Sequence, residues 1–418
     1  MRIVLYNIFL FLFKIAAFCI YPFNNKAKKW VTGRKDIFNR LETSIIKQGE
    51  LCWVHCASLG EFEQGRPVIE AIRSAFPSVR ILLTFFSPSG FEVQKNYAAA
   101  DWVFYLPMDG TKNAKRFLDI TNPNLVIFVK YDLWYYYLRS IRQKNIPLIL
   151  VSAILRDQNS IFNLYAKLHV KMLQQFDMLF LQNKSSAKMA ESFGLKDKYI
   201  VAGDTRFDRV TRIANSFEPI DKIDGFVKQN KIIVAGSTWP SDEKVLSNAW
   251  LTIKNHGFRL IIAPHEISEK KLASIKDLFS NSVLFSELNN ESKAEVLIID
   301  NIGMLSRLYK YAFITYVGGG LHSSGIHNIL EAAVYDKIVI FGPEHHRAAE
   351  AKGLLGCGGG FTFSKQNTES VEDFILKMLS NGEEYAIRSK AAGDFVRSGR
   401  GATNIIMDYI QEKRLLTN

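Results

Sequence analysis

Short apolar segments alternate with stretches of helical spacing in two successive series, which predicts an α/β protein of two Rossmann-like domains facing each other across a cleft. The first series holds LCWVHCA from Leu51, then VRILLTFF, WVFYLP, LVIFVK, IPLILVSA, MLFLQ and YIVAG. The second holds KIIVAGS from Lys231, then FRLIIAP, AEVLIID, YAFITYVGGG and KIVIFGP. Near-continuous apolar runs of this length suit strands buried on both faces, hence parallel sheets flanked by helices. Residues 216–230, polar and carrying Pro219 and Gly225, read as the linker, and 418 residues are enough for two domains. The division expected is 1–30 as an anchor with its basic flank, 31–215 as the first domain and 231–418 as the second. The last helix has the option of packing back on the first domain.

Ile3 to Phe23 is apolar apart from Asn7 and Lys14, and as a helix it would be roughly 30 Å long, about one hydrocarbon thickness. Lys26, Lys28, Lys29, Arg34 and Lys35 follow in place of a small-residue cleavage site, so a membrane anchor fits better than a removable signal. Lys14 at mid-bilayer would cost about 3 kcal/mol, so an anchor lying in the plane competes with one that spans. Either way the basic flank would meet anionic lipid on the cytoplasmic side. The formal charge of +12 suits an anionic partner, yet no nucleic-acid-binding motif accompanies it. Cys52 and Cys56 flank His55 in a strand, about 13 Å apart, too far to share a metal. Four sparse cysteines fit a reducing compartment.

After the strand LCWVHCA come Ser58, Gly60 and Glu61, with a helix expected over Glu63 to Ala75. A carboxylate near a helix N-terminus is held in its charged form, ready to accept a proton. Taken alone, Glu61 reads first as a helix-capping acid. The aromatic run Trp134 to Tyr137 reads as a membrane-interface belt or as half core, half surface. His345 and His346 read as structural.

In the second series an apolar strand over Tyr311 to Val317 runs into Gly318, Gly319 and Gly320. A loop with Ser323, Ser324 and Gly325 follows, then a helix opening near His327 and Asn328 with Glu331 in its first turn. A strand, a glycine turn and a helix N-terminus make a phosphate pocket, and a carboxylate behind it suits ribose hydroxyls. The glycines alone would be a tight turn; the acid behind them makes the stretch a nucleotide site.

HNILEAA followed by VIFGPEHH resembles the nucleotide-binding segment of the 3-deoxy-D-manno-octulosonic acid (Kdo) transferases, GGHNPLEPAAxGxPVxxGP, with Ile326 in place of a glycine and Ile329 in place of the proline. SLGE at Ser58 to Glu61 resembles the family's SVGE, and KYDLWYYYL at Lys130 to Leu138 resembles ETELWPNL. Val151 to Ser160, with Arg156, takes the place of NARLSxRS, and GDTRFDRV at Gly203 to Val210 resembles GNLKFD. AGSTWPSDE, APHEISE and DNIGML resemble AGSTHEGEE, APRHPER and DTMGEL, His265 standing where the family has arginine, which weakens that contact and makes it pH-sensitive.

The resemblance implies a GT-B-type, inverting glycosyltransferase without a cofactor or metal. It would move Kdo from CMP-Kdo to a lipid A precursor at the cytoplasmic face of the inner membrane. Glu61 would be the general base, with Asp132 and Arg206 positioning charge at the reacting centre and Ser58 and Gly60 in the acceptor loop. CMP would meet Ser237, Thr238, Pro264, His265, Ile302, Gly303, Met304, Asn328, Ile329, Leu330 and Glu331. Rival readings are a UDP-sugar enzyme of the same architecture with a lipid-linked acceptor, a sugar-nucleotide epimerase, and a tethered binding protein with a degenerate site.

Overall fold

A computed structural model describes residues 2–46, 48–155, 163–228, 230–289, 291–323, 325–346, 348–363 and 369–417. The chain divides into two compact units, Met1–Asp208 with Gly401–Asn418, and Arg209–Arg400. The stretch read from sequence as a linker lies inside the second unit. Asp221–Val227 is a helix there, with Ile223 and Phe226 buried.

The first unit opens with three helices, α1 (Arg2–Ile20), α2 (Asn25–Thr32) and α3 (Ile37–Ser44). Its sheet comprises β1 (Leu51–Cys56), β2 (Arg80–Phe85), β3 (Trp102–Tyr105), β4 (Leu125–Val129), β5 (Leu148–Ala153), β6 (Met178–Leu181) and β7 (Tyr199–Val201). All strands are parallel, in the order β3-β2-β1-β4-β5-β6-β7. The order reverses at β1, between β2 and β4, which is the switch point where ligands bind at the carboxyl ends of such sheets. Helix α4 (Leu59–Ala75) leaves β1 here, four residues earlier than the sequence suggests, so Glu61 falls in its first turn. Gly65 seats α4 on the sheet: a Cβ there would meet Cys56 Sγ and Val129 Cγ2 at 3.0 Å.

The second unit's sheet comprises β8 (Lys231–Thr238), β9 (Phe258–Pro264), β10 (Ser282–Leu284), β11 (Val296–Ile298), β12 (Ile314–Val317), β13 (Ile338–Phe341) and β14 (Gly360–Thr362). It is again wholly parallel, ordered β10-β11-β9-β8-β12-β13-β14, with its switch point at β8 and β12. The two outermost strands escaped the sequence reading, because Ser282–Leu284 and Gly360–Thr362 interrupt their apolar residues with serine, glycine and threonine. β12 is shorter than expected: Tyr309–Tyr311 is a single 3₁₀ turn. The helix expected near His327 begins only at Leu330 and ends at Ala333. One turn has almost no macrodipole, so the anion-binding helix end read from sequence is not built.

Helix α1 rests on the first unit by a narrow stripe. Tyr6 and Leu10 are buried, while Val4, Phe11 and Leu12 are more than half exposed. The Tyr6 hydroxyl donates to Asp109 at 2.6 Å, and Asp109 also accepts the backbone N–H groups of Tyr136 and Tyr137. Burial raises the pKa of Asp109 to about 6 against the pull of these bonds. Residues Ile3–Ile20 have the length and mean hydropathy, 2.3, of a membrane span. Trp134, Tyr136 and Tyr137 are buried in the first unit's core, so that aromatic run is packing rather than an interface belt.

Candidate active site

In the first unit the candidate residues gather at the carboxyl ends of β1 and β4. The Ser58 hydroxyl donates to the Glu61 carboxylate across the first turn of α4. Glu61 is 9% exposed. Asp132 follows β4, and the backbone between them turns sharply: Lys130 has φ of 71°, a left-handed conformation that a side chain opposes. Burial, then Glu61 and Asp132, raise the thiol pKa of Cys56, so both carboxylates act on one buried sulfur at the end of β1.

The structure adds partners that the sequence reading missed. His55, fully buried in β1, reaches Asp132 Oδ2 through Nε2 at 3.0 Å and Thr84 Oγ1 through Nδ1 at 2.9 Å. Trp53 Nε1 donates to the same threonine oxygen at 2.8 Å. The threonine proton is then best placed on His55 Nδ1, since the alternative acceptor, the carbonyl of Val54, lies 3.5 Å away. That assigns the ring proton to Nε2, aimed at Asp132. Trp134 Nε1 donates to the same Asp132 oxygen at 2.9 Å. Two donors on one oxygen hold the carboxylate still. Only strand alternation, placing His55 on the same face as Trp53, could have hinted at this.

Arg206 is clamped by Asp204, whose Oδ2 accepts from its Nε and Nη2 at 3.0 and 2.7 Å. Asp204 in turn lies 3.5 Å from Gln64 Nε2 on α4, and Thr205 donates to the Gln64 carbonyl at 2.5 Å. Arg206 thus belongs to the same rim as Glu61, held by an acid of its own. Arg156 and the residues just after it lie outside the described residues.

In the second unit Ser237, next to last in β8, has φ of 54°, which accompanies a break in register against β9. Thr238 donates to Glu243, and Lys271 closes that group with a 2.7 Å ion pair. The glycine turn differs from expectation. The Gly318 N–H donates to the Gly236 carbonyl and the Gly319 N–H to Asp242 Oδ2, so two amides expected to face a phosphate are engaged. A Cβ at Gly318 would lie 2.4 Å from the Ser237 oxygen, and one at Gly320 would lie 2.6 Å from Gly342 N. These glycines are needed where backbones pass close together.

Asp242, wholly buried, also accepts from Trp239 N and the Tyr316 hydroxyl, tying β8, β12 and the turn to one carboxylate. Trp239 is stacked between His265, at 4.7 Å and 24°, and His322, at 5.4 Å and 7°. Its Nε1 donates to His327 Nε2 at 3.1 Å, and His327 packs on His265 at 4.4 Å. Burial, then His265, lowers the pKa of His327 to about 4, and burial lowers that of His265. The imidazoles of His265 and His327 beside the indole are therefore neutral at pH 7.

Asn328 Nδ2 donates to Glu331 Oε1 at 3.1 Å. Burial raises the Glu331 pKa, while Arg209 and Asn328 pull it down. Pro264, Met304, Ile329 and Leu330 have buried side chains, which leaves them only backbone to offer a ligand. Ile302 is 92% exposed, beside Gly303 at φ of 104°. Among the described residues no cluster of three or more His, Cys, Asp or Glu side chains suits a metal ion.

Two Rossmann-like units, each carrying its polar residues at the switch point of a parallel sheet, define the class: a GT-B-like fold. A putative UDP-N-acetylglucosamine 2-epimerase from Listeria monocytogenes shares that fold, with a TM-score of 0.61 over 89% of this chain and 98% of its own at 14% identity. Sequence goes further than fold. Residues 34–209 match the family model of the 3-deoxy-D-manno-octulosonic-acid transferase (kdotransferase). A 3-deoxy-D-manno-octulosonic acid transferase of Aquifex aeolicus is 29% identical over 81% of this chain and 89% of its own. A bifunctional glycosyltransferase/methyltransferase of Fusobacterium nucleatum subsp. nucleatum is 26% identical over 97% of this chain, which spans 63% of that longer protein. The chain is similar to Kdo transferases over most of its length.

Proposed function

We propose that the chain is an inverting glycosyltransferase that moves Kdo from CMP-Kdo to a lipid A precursor. The observation that carries this reading is the pair of carboxylates, Glu61 and Asp132, at the ends of β1 and β4, each held by its own donors. Glu61 takes the proton from the acceptor's sugar hydroxyl. The oxygen then attacks the anomeric carbon, whose bond to phosphate breaks, and CMP leaves with that electron pair. Inversion follows from attack opposite the leaving group. The second Asp132 oxygen is left for the reacting sugar, and Arg206 balances charge beside it. In the second unit Ser237, Thr238, His265, Gly303, Asn328 and Glu331 receive CMP, with the Trp239 stack beside them.

Helix α1 serves as an in-plane anchor on the cytoplasmic side of the inner membrane. Its Tyr6 and Leu10 stripe is held by the first unit, which leaves the opposite face for lipid.

The test incubates purified protein with CMP-Kdo and lipid IVA and weighs the product. Glu61→Gln is expected to lose about 10²–10⁴ in rate with an unchanged melting curve. A fully active variant would remove Glu61 from the role of base, and transfer from UDP-sugars in preference to CMP-Kdo would overturn the donor.

A further inference from the structure

Beneath α1 lies a cavity of about 740 Å³, bounded by α1, α2, α3 and the segment after β3. That volume is within the range of small-ligand sites. Phe18, Trp30 and Phe38 give it an apolar side, and Lys14, Arg34 and Lys35 bring positive charge. One acid, Asp36, also lines it, and Arg116 on the wall is already paired with Glu42. Among the described residues neither Lys14 nor Lys35 has an ion-pair partner. Arg34 donates to the backbone carbonyls of Trp30, Phe86 and Leu106 and lies over the Trp30, Phe86 and Tyr105 rings, and burial lowers its pKa to about 9. These carbonyls and rings hold the guanidinium without a carboxylate, so its charge would still favour an anion in the cavity.

A second observation points to a ligand. Trp30 is 8% exposed and lines this cavity, yet its Nε1–H is buried without a hydrogen-bond partner. An unmet buried donor costs about 1–3 kcal/mol, and an oxygen bound in the cavity would satisfy it. The same tryptophan lines a neighbouring cavity of about 430 Å³, walled by Phe13, Ala17 and Ile20 of α1 and by Phe86. An apolar channel, unpaired cations and an unmet N–H together describe an amphiphile. The wall itself is the helix whose other face is apolar and exposed, so the ligand comes from the layer that α1 touches.

We propose that this cavity binds an anionic, phosphate-bearing acyl lipid. Its phosphate would sit at Lys14, Lys35 and Arg34, an ester or amide carbonyl would accept from Trp30 Nε1, and a chain would run along Phe18 and Phe38. The inference rests on the membrane reading of α1 but not on sugar transfer.

The test titrates the full-length protein, in a neutral detergent, with dihexanoyl phosphatidic acid and with dihexanoyl phosphatidylcholine, by calorimetry. Saturable binding of one phosphatidic acid is expected, with phosphatidylcholine about tenfold weaker. Lys35→Glu and Trp30→Phe should each weaken it about fivefold, and Met108→Trp, which fills the cavity, should abolish it with the melting curve kept. Displacement by the acylated acceptor lipid would assign the site to the acceptor, and no displacement would assign it to a membrane phospholipid. Equal affinity for the two probes, or full binding by Met108→Trp, would overturn the site. A protein that binds phosphatidic acid but transfers no sugar would keep this inference and lose the proposed reaction.

Discussion

His55 is bonded at both ring nitrogens inside a strand, and that arrangement restricts what Asp132 can do. The imidazole cannot rotate away, so the carboxylate keeps one oxygen occupied and one available. Because the two act as a unit, their effects should not add. His55→Gln and Asp132→Asn are each expected to lower kcat/KM, and the double variant should fall short of the product of the two by at least about 1 kcal/mol of coupling. Strict additivity would show that the contact is idle.

His327 makes a pH prediction at the same scale. Its folded pKa, about 4, lies below the ordinary 6.5. The unfolded chain therefore binds more protons between those values, so its contribution to stability is complete above pH 6.5 and is lost as pH falls towards 4. Trp239 and His265 lie against it and stay in place in the variant. The fall in melting temperature from about pH 7.5 to about pH 5 should be smaller for His327→Gln than for the parent. Asp109 has the opposite sign, its raised pKa stabilising the fold as pH drops below 6, and it cancels in the comparison.

At the scale of elements, the glycine turn after β12 shows how one pattern serves two purposes. Three glycines after a strand are equally what a phosphate cradle and two crossing backbones require. Here Gly320 passes against Gly342, and the amides of Gly318 and Gly319 are taken by Gly236 and Asp242. Gly320→Ala is expected to destabilise by about 1–3 kcal/mol through overpacking, read by urea denaturation. Gly382→Ala, whose added Cβ meets nothing, should be neutral or slightly stabilising. The short helix at Leu330–Ala333 has a related cause. Leu330, Ala332 and Ala333 are buried, and the chain turns at once into β13, so helical spacing in the sequence had only one turn to occupy.

At the scale of the whole molecule, the chain returns to the first unit after completing the second. The helix Ala402–Glu412 lies on α4, with Ile406 and Ile410 in the same core as Val68, Ile69 and Ile72. Asp208 accepts from Gly401 N and Thr403 N at 2.6 and 2.7 Å and so caps that helix. Ile410→Ala should cost about 2–5 kcal/mol, because the cavity opens beneath α4, and thermal unfolding followed by circular dichroism would read it.

The alternation of apolar strands and helices determined two parallel sheets, because a strand buried on both faces must be apolar throughout and that is visible residue by residue. It also determined that Glu61 follows the first strand and that Ser237 stands at the carboxyl end of the eighth. Only tertiary structure decided that His55 meets Asp132, that Trp239 is enclosed by imidazoles, that the glycine amides are already bonded, and that α1 roofs a charged cavity. Those contacts join residues tens to hundreds of positions apart, and a local pattern carries no record of which distant group will satisfy a buried donor.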